Sequence, residues 1–83
     1  MASLRQKFGQ RLREIRFARK MSQETFAEKI DVSVDFLSLI ERGKNAPSFE
    51  TLDRIAHSLR LPVAELFRFD SSVGRTNRER SSS

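Results

Sequence analysis

Phe8, Leu12 and Ile15 stand at i, i+4 and i+7, the stripe of a helix that turns one face to a core. This predicts a first helix from about Leu4 to Arg19, with Arg, Lys and Gln over most of its remaining surface. Phe26, Ala27 and Ile30 mark a second, shorter helix from Gln23 to Ile30, with Ser22 placed as its N-cap. A third begins after Ser33, runs from Val34 to Arg42 with Leu37 and Ile40 inward, and has Gly43 to end it. Between the second and third lie only Asp31 and Val32, and Asp is among the few non-glycine residues that tolerate a left-handed backbone. Leu52, Ile55, Ala56 and Leu59 follow at i, i+3, i+4 and i+7, a fourth helix from Phe49 to about Leu59 that Ser48 caps. Leu61 packs inward, and Pro62 suits the start of a fifth helix from Val63 to Phe67, where its missing amide goes unmissed. Helices this short do not hold themselves, because nucleation is costly and they lack the length to repay it. Packing must hold them.

Two short helices joined by a tight corner of fixed length are the most specific feature of the chain. The segment Ser22 to Gly43, SQETFAEKIDVSVDFLSLIERG, resembles the helix-turn-helix of lambda-repressor-like, Cro-type DNA-binding domains, and the likeness extends over about residues 7 to 67. Ser22-Gln23, Ala27 with Ile30, the run Leu37 to Gly43, and Pro47-Ser48 before Thr51-Leu52 carry it. The resemblance implies an all-α, compact five-helix domain at residues 1–69 that binds duplex DNA. It also implies that Arg16 pairs with Glu41, bridging the first helix to the end of the third. Lys20 departs from the pattern, standing where relatives usually have Gly at the first corner.

Composition narrows the remaining classes. The chain has 83 residues, room for one domain, with seven Phe and neither Trp nor Tyr to fill its core. With no Cys it has neither disulfides nor thiolate metal sites. No apolar run approaches the ~20 residues of a membrane span, and no signal peptide opens the chain, so a cytoplasmic protein associated with the nucleoid is expected. The net charge of +5 asks for an anionic partner. Residues 1–20 carry seven Lys/Arg against one acid, residues 21–70 six against nine, and the last thirteen residues three against one. The basic excess therefore sits at the two ends. Such a balance suits DNA, RNA or an anionic membrane, and only the corner motif selects DNA.

With Leu37 and Ile40 inward, the outer arc of the third helix is Val34, Asp35, Ser38 and Leu39, with Ser33 at its start. These five are the expected base-reading set, and the resemblance adds Gln23 at the DNA edge. Val34 and Leu39 suit thymine methyls, Asp35 can only accept and so suits a cytosine amino group, and the two serines have little base preference. Asp35 also fits a bland role, an acid favourably placed against a helix dipole. The arc lacks the Arg, Gln and Asn that make bidentate base contacts, so shape readout should weigh more heavily. Ser22, with the amides of the second helix, and Arg42, Lys44 and Asn45, where family members clamp the backbone, are the expected phosphate contacts. Arg5, Lys7, Arg11 and Arg13 fit a solvated face as well as a phosphate-facing one.

Val63, Leu66, Phe67 and Phe69 are more apolar surface than a short terminal helix buries, which suggests a homodimer contact and hence a palindromic operator with reading helices about 34 Å apart. From Asp70 the composition turns to Ser, Arg, Gly and Asn, a basic tail expected to be disordered. No catalytic constellation is present: one His, no Cys, no Gly-rich phosphate loop and no paired carboxylates. No cofactor, metal, small-molecule ligand or membrane partner is expected. The function that results is a sequence-specific, repressor-like transcriptional regulator acting as a homodimer on double-stranded DNA. Two alternatives remain, the controller of a restriction-modification operon and an antitoxin-like protein-binding module with secondary DNA binding.

Overall fold

A computed structural model of the protein describes residues 2–69. The tail expected from Asp70 onward, with Arg75, Arg78 and Arg80, lies outside the described residues. Among those described, five helices and no strand occur: α1 (Leu4–Ala18), α2 (Gln23–Ile30), α3 (Val34–Glu41), α4 (Phe49–Leu59) and α5 (Val63–Leu66). Helices α1, α3 and α5 each stop one residue short of the expected end. Arg42 and Phe67 have already left helical geometry, at φ −90°, ψ 4° and φ −113°, ψ 21°.

Each of the first four helices starts on a serine. The hydroxyls of Ser3, Ser22, Ser33 and Ser48 accept the amides of Gln6, Thr25, Phe36 and Thr51 at 3.2, 3.1, 3.0 and 3.1 Å. At Ser3 the bond is reciprocal, since Gln6 Oε1 accepts the Ser3 amide at 2.9 Å and completes a capping box. The same four helices end alike. Lys20, Asp31, Gly43 and Arg60 take φ of 57°, 62°, 74° and 58°, and the following amide reaches back to a carbonyl five residues earlier. At the α2–α3 corner that bond runs from the Val32 amide to the Ala27 carbonyl at 3.0 Å.

The core is one cluster drawn from every helix. Leu12, Phe26, Ile30, Leu37, Ile40, Ile55, Leu59 and Leu66 are fully buried, with Phe8, Ile15, Ala27 and Ala56 nearly so. Fully burying side chains of this kind is worth roughly 1.5–3 kcal/mol each against exposure, which is what short helices need to persist. Gly9 permits a close approach of α1 to α3, because a Cβ there would collide with the Ile40 and Glu41 carbonyls. Long arginines tie the outer edges. Arg11 Nε donates to the Glu65 carbonyl at 2.8 Å and Arg19 Nη2 to the Leu59 carbonyl at 2.8 Å, joining α1 to α5 and to the end of α4.

Candidate nucleic-acid interface

Packing decides which part of α3 is left to meet a ligand. Leu37 and Ile40 occupy the core, Ser33 and Asp35 are exposed, and Val34, Ser38 and Leu39 are half-buried along the edges. The outer rim is thus narrow, and it is most open to solvent at its start, where Ser33 and Asp35 stand. Phe36 is half-buried and packs against the core.

On one side the rim is flanked by the start of α2. The Ser22 hydroxyl accepts the Thr25 amide and also bonds to the Thr25 hydroxyl at 3.1 Å, which leaves the amides ahead of Thr25 for an outside acceptor. Gln23, half-buried, is not simply at an outer edge. Its Nε2 donates to Glu41 Oε1 at 3.1 Å, which leaves its carbonyl oxygen and second N–H for a ligand. The same carboxylate receives a two-pronged contact from Arg16, Nε to Oε2 at 2.7 Å and Nη2 to Oε1 at 3.0 Å. Arg16 Nη1 donates to the Met21 carbonyl at 3.1 Å, and its guanidinium lies 4.8 Å from the Phe17 ring centroid. Arg16 and Glu41 are only 8% and 5% exposed, so this is a buried pair that fixes α1, the start of α2 and the end of α3 to one another.

On the other side come Arg42, Lys44 and Asn45, all exposed. Gly43 turns the chain between the first two. It combines two demands, a positive φ and the close passage of Gln6, whose side chain a Cβ would strike. Asn45 Oδ1 accepts the Ala46 amide at 3.1 Å, which fixes the side chain and leaves its NH2 group to donate. The rim of α3 is therefore bounded by an amide-bearing helix start and by a short cationic loop, both rigidly attached to it.

The helix-turn-helix family model matches residues 12–66. The chain belongs to the XRE-type helix-turn-helix family. Its relatives in that family are regulators. It is 40% identical over 58 residues to the immunity repressor protein of Bacillus phage phi105, covering 70% of this chain and 40% of the repressor. It is 35% identical over 68 residues to the control protein C.MunI of a Mycoplasma species, covering 81% of this chain and 92% of that one. Among solved structures, the restriction-modification controller protein C.AhdI from Aeromonas hydrophila superposes with a TM-score of 0.71 at 38% identity, over 76% of this chain and 96% of that chain. The clp gene regulator ClgR from Corynebacterium glutamicum gives 0.75 at 30% identity, over 87% and 94%. This helix-turn-helix protein is accordingly a DNA-binding transcriptional regulator.

The expected dimer residues of this helix-turn-helix protein do not share one surface. Leu66 is 0% exposed and belongs to the monomer core, because the single turn of α5 must turn its largest aliphatic side chain inward to hold itself down. Phe67 and Phe69 are half-buried, with the Phe67 ring 5.2 Å from Phe8 and 6.0 Å from Phe69 between centroids. Only Val63, at 43%, is largely exposed. Three apolar side chains not singled out from sequence are more open, Leu4 at 62%, Phe17 at 59% and Phe49 at 86%. Phe49 lies three residues before Leu52, on the extension of the apolar stripe of α4 but past the end of the core. A further feature unread in the sequence is a polar groove of about 410 Å³ along α1, lined by Ala2, Gln6, Gln10, Arg13, Glu41 and Arg42. Among the described residues no helix is long and apolar enough to cross a membrane.

Proposed function

We propose that this regulator sets the first turn of α3 in the major groove of a short operator, with Ser33, Val34, Asp35, Ser38 and Leu39 towards the base edges and the free carbonyl of Gln23 beside them. Ser22, Arg42, Lys44 and Asn45 then hold the strands on either side. The observation that carries this reading is the Arg16–Glu41–Gln23 network, which fixes the start of α2 and the end of α3 in a single frame. A reading helix gains specificity only when the groups that grip the backbone are held rigidly relative to it. Because the rim has no side chain for a bidentate contact to guanine or adenine apart from Gln23, sequence-dependent duplex shape supplies a large share of the selectivity. The protein acts as a homodimer on a palindrome, with Val63 and the outer edges of Phe67 and Phe69 as the contact. It works where its DNA is, in the cytoplasm.

Selection of bound duplexes from a random pool tests this directly. An enriched inverted repeat with half-sites one turn apart, about 34 Å, is the expected result. Enrichment of no sequence overturns the reading. A second role within the same class, controller of a restriction-modification operon, is favoured by one observation: the chain aligns with nearly the full length of C.MunI and C.AhdI. Reporter assays on the selected operator at different distances from a promoter distinguish activation from repression.

A further inference from the structure

Arg13 is placed differently from Arg11, Arg16 and Arg19, its neighbours along the second half of α1. Arg11 pairs with Glu14 and Glu65, Arg16 with Glu41, and Arg19 donates to a carbonyl of α4. Arg13 is exposed, and among the described residues no carboxylate lies within ion-pair distance of it. What holds it is the face of Phe17, whose ring centroid lies 5.8 Å from the guanidinium carbon. A cation held by an aromatic face keeps its full charge and its hydrogen-bond donors. Arg13 lines the polar groove of about 410 Å³ together with Arg42, the first of the three exposed groups that follow α3.

The rest of the groove is equally short of acceptors. Gln6 Oε1 is taken by the Ser3 amide, leaving the Gln6 NH2 group, and Gln10 is exposed. The one acid there, Glu41, has both oxygens engaged, Oε1 by Arg16 and Gln23 and Oε2 by Arg16. Two uncompensated guanidinium groups with amide donors beside them match an oxyanion bearing several acceptor oxygens. A backbone phosphate is that anion on a duplex whose major groove holds α3.

We propose that the groove between α1 and the end of α3 holds a phosphate of the DNA backbone, with Arg13 as a further DNA-contacting residue that clamps the strand together with Arg42. The proposal rests on the DNA-binding reading above and extends its footprint along α1. A phosphate contact adds affinity without sequence preference and releases counterions, so it is read from the salt dependence of binding.

The test uses the full chain and fluorescence anisotropy with a labelled duplex of the selected sequence and one of random sequence, over a salt series. Arg13→Gln is compared with wild type, with Arg13→Lys, with Arg42→Gln and with Lys29→Gln, an exposed cation of α2 outside the groove. Unchanged urea midpoints identify variants that remain folded. Arg13→Gln is expected to reduce the slope of log K against log salt by about 0.9 on both duplexes, and Arg13→Lys to retain most of it. Loss in the Arg13→Gln, Arg42→Gln double variant smaller than the sum of the single losses places both cations on one phosphate. A slope for Arg13→Gln equal to that of Lys29→Gln, while Arg42→Gln lowers it, overturns the groove site and leaves the DNA reading intact. Absence of salt-dependent binding by the wild type to either duplex overturns both.

Discussion

Each left-handed residue that closes a helix here solves the same geometric problem at a different cost. For L residues this conformation costs roughly 1–2 kcal/mol, less for Asp and nothing steric for Gly. Asp31 and Gly43 suit their places, whereas Lys20 and Arg60 adopt φ of 57° and 58° against their preference. Lys20→Gly is therefore expected to stabilise the domain by up to about 1 kcal/mol, after the greater flexibility of glycine in the unfolded chain is set against the relieved strain. The rise appears as a higher urea midpoint with an unchanged slope. Gly43→Ala should act in the opposite direction and more strongly, since the added Cβ meets Gln6 as well as an unfavourable φ. A second residue-scale test concerns the buried pair. Glu41→Ala strands the Arg16 guanidinium and releases Gln23, and breaking such a pair typically costs ~3–5 kcal/mol. Replacing both partners, Arg16→Met with Glu41→Leu, should cost much less, because no buried charge is left uncompensated. Equal urea midpoints for Glu41→Ala and wild type would refute a structural role for the pair.

At the scale of elements, the starts of α2, α3 and α4 are readable because a serine hydroxyl acts locally. Ser22, Ser33 and Ser48 bond an amide three residues on, and the apolar stripe behind each tells which way the helix faces. The reciprocal cap at Ser3 was equally local, a Ser-x-x-Gln pattern that was present but unread. What local pattern could not yield is contact between residues far apart in the chain. Arg11 finds Glu65 across 54 positions, and Gln23 finds Glu41 across 18, so a side chain that looks outward-facing on its own helix is partly engaged by another. The same limit explains Leu66. Its helix has a single turn, too short for periodicity to separate an inward residue from an outward one. The proposed reading helix, α3, is testable at this scale. Its cap, Ser33, holds the open first turn of α3, so Ser33→Ala should cost about 1 kcal/mol of stability. Arg42→Glu with Lys44→Glu should leave the fold intact, since both side chains are exposed, yet abolish detectable duplex binding at moderate salt. Circular dichroism on the same samples separates the two effects, and undiminished affinity would overturn the assignment of the loop.

For the whole molecule, the proposed homodimer has the largest physical consequence, because a single narrow rim without bidentate readers offers little selectivity. A dimer multiplies that selectivity, since both half-sites must match and the distance between reading helices must equal a helical turn of DNA. The contact must be built from side chains the monomer does not need for its own core. Leu66 is excluded by its burial, and the ring of Phe67 packs at a tilt against Phe8, so its removal would loosen α1 against α5. Val63 is exposed at 43% and packs nothing essential, which makes it the residue whose change reports on association alone. Val63→Asp is expected to leave the urea midpoint of the monomer within about 0.5 kcal/mol of wild type, as for other exposed positions. In an isologous contact the substitution acts twice, setting one carboxylate near its symmetry mate as well as removing apolar surface. Sedimentation at micromolar concentration should then show wild type as dimer and Val63→Asp shifted to monomer. On a palindromic duplex the variant should bind weakly and in two separate steps, while on a single half-site it matches wild type. Wild type that sediments only as monomer, with and without DNA, removes the dimer from the mechanism. A dimer indifferent to Val63→Asp moves the contact to the exposed Leu4 and Phe49.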